Sequence, residues 1–257
     1  MSSLLKLEEF RISWEELRKL PDDQLAAFGL VCFAISEINV LKRLYLFSGH
    51  DYDPVGIDEI GFAALSQRLV LLRLWSAKLF ELTKFFKFEG QHNRTKDQTL
   101  LSLSEIAQKT FEDVAKGPGF EFATRQRNEA ASHYHMKSAR KNAHHLRKDA
   151  LCNMYLHQAE GNSFFPLGEE LMFGASVLRL KDEFTCPDSD IVDEWFRWNL
   201  EANNWASKMH VQLFSETILK VIPDRKPYER EYWLKPEMIQ YIGECIVPVF
   251  LRKDPIA

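Results

Sequence analysis

The sequence predicts an all-α fold, a bundle of long antiparallel helices with a short C-terminal appendage. Two observations favour this class. Apolar residues recur at helical spacing over several stretches of more than twenty residues. No alternation of strand-like and helix-like segments is visible, and neither is an internal repeat. A hydrophobic content of 46% and a charged content of 27% are typical of a globular chain with a buried core.

The first helices are marked by capping residues and by proline. Ser13 and Glu16 have the spacing of a capping box, which predicts a short helix that ends near Pro21. Pro21 is followed by two aspartates, whose charge suits a helix N-terminus, so a long helix is expected from there to about Phe47. A second long helix is expected over residues 58–88, because its leucines and aromatics recur at the spacing of a buried face.

Glycine and proline divide the rest of the chain. A helix is expected over residues 99–115, and the sequence Gly117-Pro118-Gly119 then breaks it. Because neither residue type recurs before Gly161, about forty residues are predicted to form one helix. Further helices are expected over residues 169–180 and 189–221. The composition shifts after Pro223, so residues 1–222 are predicted to form the main domain, and residues 223–257 a tail, either a short helix or a strand, packed on it.

Cysteine spacing and hydropathy predict a cytoplasmic protein. The four cysteines are scattered without a C-x-x-C pair, which favours reduced thiols. The amino-terminal residues lack the basic-then-apolar order of a signal peptide. The longest uncharged apolar run, residues 25–35, is shorter than the roughly 18 residues of a membrane span, so no membrane segment is expected.

Positive charge is concentrated in one segment. The whole chain has a net charge of −4. Residues 125–148, here called the basic segment, contain seven Lys or Arg against the single acid Glu129, a net +6, which leaves −10 for the remainder. Overall acidity argues against indiscriminate nucleic-acid binding, whereas a concentrated basic segment is typical of a phosphate-binding surface.

The sequence RNEAASHYH, residues 127–135, carries the candidate chemistry. Arg127 can bind a phosphate, Asn128 can orient it, and His133 titrates close enough to neutral pH to transfer protons. On an ideal helix six residues give about 240° of rotation, so Arg127 and His133 would lie about 120° apart. A shared site therefore requires an irregular helix start, a long reach of the arginine, or two chains facing each other. The alternative is that Arg127 pairs with an acid and His133 is merely exposed.

The predicted forty-residue helix separates an apolar stripe from a basic face. Small apolar residues such as Ala139 and Ala143 would face the body of the protein, and the histidines and cations would face outward. Such a face is either a solvated helix surface or a binding surface for an RNA backbone. The candidate RNA-binding residues are Arg125, His135, Lys137, Arg140, Lys141 and His144.

The order of an arginine, a polar residue and, after a short spacer, His-Tyr resembles the R-x(4–6)-H motif of HEPN domains. The setting is also similar: two long helices, a shorter helix and a turn precede a motif at the head of a further long helix. The likeness covers about residues 22–161. One departure is that the family toxins often carry a tyrosine two positions after the histidine, where this chain has His135.

The resemblance implies a helical homodimer that acts as a metal-independent endoribonuclease in defence or stress. His133 would be the general acid or base, Arg127 would stabilise charge on the phosphate, and Asn128 would orient the phosphate or the imidazole. Two alternatives remain: a non-catalytic module that binds RNA, a nucleotide or an unknown protein partner, and an unrelated helical scaffold. The sequence shows no metal-ligand spacing and no glycine-rich phosphate loop, so neither a metal nor a cofactor is expected.

Overall fold

The computed structural model describes residues 3–49, 59–128, 136–157, 161–181, 191–235, 238 and 247–250. The fold is mostly helical with one small two-stranded sheet, so the all-α prediction is confirmed. The strands are β1 (Ser3–Glu9) and β2 (Tyr228–Leu234). The helices are α1 (Trp14–Leu17), α2 (Asp22–Phe47), α3 (Glu59–Phe85), α4 (Gln98–Val114), α5 (Gly117–Gln126), α6 (Met136–Ala143), α7 (Pro166–Glu169), a π-helical segment (Glu170–Gly174), α8 (Ala175–Lys181), α9 (Ile191–Glu216) and α10 (Ile218–Val221).

The predicted start of the helical region is confirmed in detail. Ser13 Oγ accepts a hydrogen bond from the Glu16 N–H at 3.3 Å, and Glu16 Oε2 accepts one from the Ser13 N–H at 2.8 Å. This reciprocal pair is the capping box that opens α1. The long helix α2 begins at Asp22, directly after Pro21, and ends at Phe47, as proline, acids and apolar periodicity predict.

The chain divides into two compact units, and three long helices contribute to both. The first unit contains residues 1–40, 78–114 and 201–245, and the second contains residues 41–77, 115–200 and 246–257. Helices α2, α3 and α9 each begin in one unit and end in the other. The predicted division near residue 222 stays a prediction.

The core of the first unit is centred on an aromatic cluster. Trp205 on α9 is buried, and its Nε1–H lies 3.1 Å from Thr110 Oγ1 on α4. Its ring meets Phe86 edge-on at a centroid distance of 5.7 Å. Elsewhere in this unit His210 Nε2 lies 3.4 Å from Cys32 Sγ, and both side chains are half-buried. Burial lowers the pKa of His210 and raises the pKa of the Cys32 thiol.

The two strands form an antiparallel pair that joins distant parts of the chain. The register runs from Ser3 opposite Leu234 to Glu9 opposite Tyr228. Lys6 contacts Glu229 at 3.1 Å and Glu231 at 3.0 Å across the pair, and these carboxylates raise the lysine pKa. A strand was one of two predicted forms of the tail, whereas β1 was not predicted at all.

The second unit has a core of tryptophans and buried polar side chains. Trp195 and Trp75 are fully buried, and Trp195 Nε1 donates a hydrogen bond to Ser76 Oγ at 2.8 Å. The same hydroxyl lies 2.9 Å from Asn199 Oδ1, so α3 and α9 are joined by a buried polar link. Gly119 lies so close to the Glu194 carbonyl that a Cβ would clash with it. The Gly-Pro-Gly sequence therefore also allows close packing of Gly119 against the backbone of α9.

The prediction of one forty-residue helix after Gly119 is wrong. Helix α5 ends at Gln126 and α6 covers only Met136–Ala143. The chain then leaves the helix, and Tyr155 pairs with Phe164 through two backbone hydrogen bonds, with stacked rings 4.6 Å apart. The absence of glycine and proline permits a helix, but it does not prevent tertiary contacts from ending one.

Among the described residues, α2 is the one helix long and apolar enough to cross a membrane by length and composition. Four of its large apolar side chains are exposed, namely Leu30, Phe33, Val40 and Leu44. Core helices of soluble proteins meet the same criterion, so the predicted absence of a membrane segment stays a prediction.

Candidate nucleic-acid interface

Arg127 and Asn128 lie at the C-terminal end of α5. Arg127 retains helical backbone angles, φ −59 and ψ −46, and its N–H is directed at the carbonyls of Ala123 and Thr124. From Arg127 onward the chain continues into a wider π-helical turn that includes Asn128. The Arg127 side chain is half-buried and Asn128 is exposed. This turn departs from α-helical spacing at Arg127 and Asn128. His133 lies outside the described residues, so the expected separation of about 120° between Arg127 and His133 stays a prediction.

A buried hydrogen bond fixes the residue that precedes the motif. Gln126 Nε2 donates to Ser176 Oγ on α8 at 3.1 Å, and both residues are almost completely buried. The other amide atom, Gln126 Oε1, is buried without a hydrogen-bond partner in the described part of the chain. Because a buried amide strongly prefers paired atoms, this contact fixes the end of α5 against α8.

Helix α8 also fixes the helix that follows the motif. Arg179 Nε, three positions after Ser176, donates to Asn142 Oδ1 on α6 at 3.2 Å. Asn142 is fully buried, whereas its neighbours on α6 are exposed. Residues three positions apart lie on the same side of a helix, so one face of α8 holds both α5 and α6. Residues 129–135 connect these two anchored helices.

The cations of α6 form an exposed group. Lys137, Arg140 and Lys141 are exposed, and none forms an ion pair with any residue that the structure describes. No acidic residue lies on α6 itself. This helix therefore carries uncompensated positive charge, as a phosphate-binding surface requires.

The remaining predicted site residues have different environments. Arg125 lies in the last turn of α5, is half-buried and already has an interaction partner. His144 is exposed, but it follows the end of α6, so its predicted place on a long basic helical face is wrong. The predicted position of the motif at the head of a long helix is also corrected, because α6 has 8 residues. His133 and His135 lie outside the described residues.

A second charged group in this unit was not singled out from the sequence. Arg73 on α3 forms two hydrogen bonds to Glu169, at 2.9 and 2.7 Å, and both side chains are largely buried. Arg147 contacts the next residue, Glu170, at 3.4 Å. The sequence signal was the acidic pair at residues 169–170 inside an otherwise apolar stretch. Among the described residues no group of His, Cys, Asp and Glu is arranged to hold a metal ion.

The sequence matches no protein-family model, and comparisons with curated proteins and with solved structures found no similar chain.

Proposed function

We propose that the protein binds RNA through the basic segment and cleaves it in a metal-independent, HEPN-like reaction. The observation that carries the proposal is the exposed, uncompensated charge of Lys137, Arg140 and Lys141 on a helix anchored close in sequence to Arg127 and Asn128. Phosphate contacts of this kind position RNA without reading its sequence.

The proposed chemistry assigns one role to each motif residue. Arg127 binds the scissile phosphate through its planar guanidinium and stabilises the charge that develops in the transition state. Asn128, exposed in the π-helical turn, orients the phosphate or the imidazole. His133 takes the proton of the ribose 2′-hydroxyl or protonates the leaving oxygen, and an unperturbed imidazole suits both roles near neutral pH.

The first test is RNA cleavage in the presence of a chelator. A labelled single-stranded RNA is incubated with the wild-type chain and with the variants Arg127→Ala, Asn128→Ala and His133→Ala. We expect His133→Ala to lower the cleavage rate about 10²–10⁴-fold while RNA binding persists. The matched control is His92→Ala, an exposed histidine in the other unit, which leaves cleavage unchanged. Full activity in both Arg127→Ala and His133→Ala would contradict the proposed catalytic roles.

The same assay distinguishes the alternative functions. Binding by the wild-type chain without cleavage would support the non-catalytic RNA- or nucleotide-binding module instead. Neither binding nor cleavage would support the unrelated scaffold.

A second test asks whether two chains form one site. We propose a homodimer in which Arg127 of one chain faces His133 of the other. Light scattering measures the mass of the particle in solution and so tests for the dimer. Mixing the inactive variants Arg127→Ala and His133→Ala then creates heterodimers with one intact Arg–His pair, so cleavage returns. If each chain holds its own complete pair, the mixture stays inactive.

A further inference from the structure

A cavity in the second unit has apolar walls and charged groups at one side. Its volume is about 490 Å³, within the range of roughly 300–1,000 Å³ that is usual for small-molecule sites. Five large apolar side chains line it, from α3, the chain after α6 and the π-helical segment. They are Phe62, Leu65, Leu69, Leu151 and Phe173.

The charged groups at the cavity leave an excess of negative charge. Glu169 is satisfied by the bidentate contact with Arg73. Arg147 is shared between Glu170, at 3.4 Å, and Asp149, at 3.8 Å, and both distances are long for a hydrogen bond. Three carboxylates therefore meet two guanidinium groups, a net −1.

Glu170 is the buried carboxylate of this group, whereas the Asp149 side chain is 81% exposed to solvent. The Glu170 side chain is 8% exposed, although it belongs to a residue type that is almost never buried without a partner. Arg147 contacts Oε1, whereas Oε2 accepts no hydrogen bond from any residue in the described ranges. Glu170 lines the cavity, so a carboxylate oxygen that has no donor from the protein can accept a hydrogen bond from a cationic group inside it.

The backbone at this position is shaped around the carboxylate. Glu170 begins the π-helical segment, a form that is rare and often occurs at functional sites. At the end of the same segment a Cβ on Gly174 would lie 2.9 Å from Glu170 Oε2. Because Gly174 has no side chain, the Glu170 carboxylate has room to lie beside it.

We propose that this cavity binds a small organic cation, an ammonium group on an apolar body, with Glu170 as its counter-ion. The apolar walls take the body of the ligand, and the ammonium group donates to Glu170 Oε2. The cavity is lined by none of the proposed catalytic residues, and the proposal does not depend on RNA cleavage.

The test uses three probes that share a phenyl body and carry a cationic, a neutral or an anionic head group: phenethylamine, phenethyl alcohol and phenylacetate, titrated into the full chain by calorimetry. We expect phenethylamine to bind about tenfold more tightly than the alcohol, as one charge-assisted hydrogen bond predicts, and phenylacetate not to bind. Equal affinity for amine and alcohol, tighter binding of phenylacetate, or no binding of phenethylamine would overturn the proposal.

Two variants test whether the tighter binding of phenethylamine depends on Glu170. Glu170→Gln lowers the phenethylamine affinity about tenfold and leaves that of the alcohol unchanged. Gly174→Ala keeps the charge but displaces the carboxylate, so it lowers amine affinity as well, and it decides the question if Glu170→Gln does not fold. The control is Glu37→Gln, an ion-paired glutamate in the other unit, which leaves all three affinities unchanged. Wild-type amine affinity in both cavity variants would contradict the role of Glu170.

Discussion

Gln126 and Ser176 share a buried hydrogen bond of 3.1 Å, one position before the arginine of the candidate site. The contact joins α5 to α8, and Arg179 on the same helix holds Asn142 of α6. The candidate site is therefore supported by a helix about fifty residues further along the chain. Substitutions on α8 are expected to affect the motif without contacting RNA.

The first prediction concerns this support. Ser176→Ala removes the acceptor and leaves the buried Gln126 amide with neither of its polar atoms paired. We expect a loss of about 1–3 kcal/mol in the free energy of unfolding, measured by urea denaturation. Ser102→Ala, at an exposed position on α4, serves as the control and is expected to change the stability by less than about 0.5 kcal/mol. Equal stability of the two variants would show that the buried contact contributes nothing.

The second prediction concerns the ion pair between Arg73 and Glu169. Arg73→Met leaves a largely buried carboxylate without its two hydrogen bonds, and we expect a loss of about 3 kcal/mol. The double variant Arg73→Met with Glu169→Leu removes both charges and should recover most of that loss. Urea denaturation of the four proteins in a double-mutant cycle measures the coupling. Additive losses would mean that the two side chains do not stabilise each other.

The third prediction concerns the exposed cations of α6. We consider the triple variant in which glutamate replaces Lys137, Arg140 and Lys141. It should bind RNA more weakly than the wild type. The slope of log affinity against log salt should fall by about 2, since each lost phosphate contact removes about 0.7–0.9 from it. Filter binding or fluorescence anisotropy at several salt concentrations measures both. The control reverses three exposed lysines of the other unit, Lys19, Lys109 and Lys208. If the two triple variants weakened RNA binding equally, the overall charge of the protein, and not a binding surface on α6, would determine the affinity.

The fourth prediction concerns the pH dependence of stability. Burial lowers the pKa of His210 in the folded state, so below about pH 6.5 the unfolded chain takes up this proton more readily. Stability is therefore lost as the pH falls through that range, and the loss stops once the pH is below the folded-state pKa. His210→Gln removes this contribution, so its urea midpoint should fall less between pH 7 and pH 5 than that of the wild type. His92→Gln, at an exposed loop position, should retain the wild-type profile.

The long helices were predictable because their signals are local. Pro21 and the acids after it mark the start of α2, and periodicity carries the helix to Phe47. Strand β1 was missed because its partner, β2, lies more than two hundred residues away, and neither segment keeps a strict alternation of polar and apolar residues. The end of α6 was missed because it depends on contacts such as that of Asn142 with Arg179, which no local pattern encodes.

The candidate site was only partly predictable for the same reason. The concentration of cations in residues 125–148 is visible in the sequence, and the structure describes Lys137, Arg140 and Lys141 as exposed. The buried partners Ser176 and Gln126 carry no sequence signal, because serine and glutamine are mostly exposed residue types and nothing local indicates their burial here. Glu170 differs, since an acid inside an apolar stretch is a visible exception.

The strand pair β1–β2 has a consequence for biosynthesis. Lys6 and Glu229 are 223 positions apart, so β1 leaves the ribosome long before its partner has been made. At a usual translation rate the delay is roughly 10 s or longer. During that time the backbone of β1 is unpaired and the apolar side chain of Leu7 is exposed. An unpaired strand edge of this kind can bind chaperones or other nascent chains. The two strands can pair only after residue 234 has emerged, so the sheet is completed after the α1–α10 segments have been synthesised.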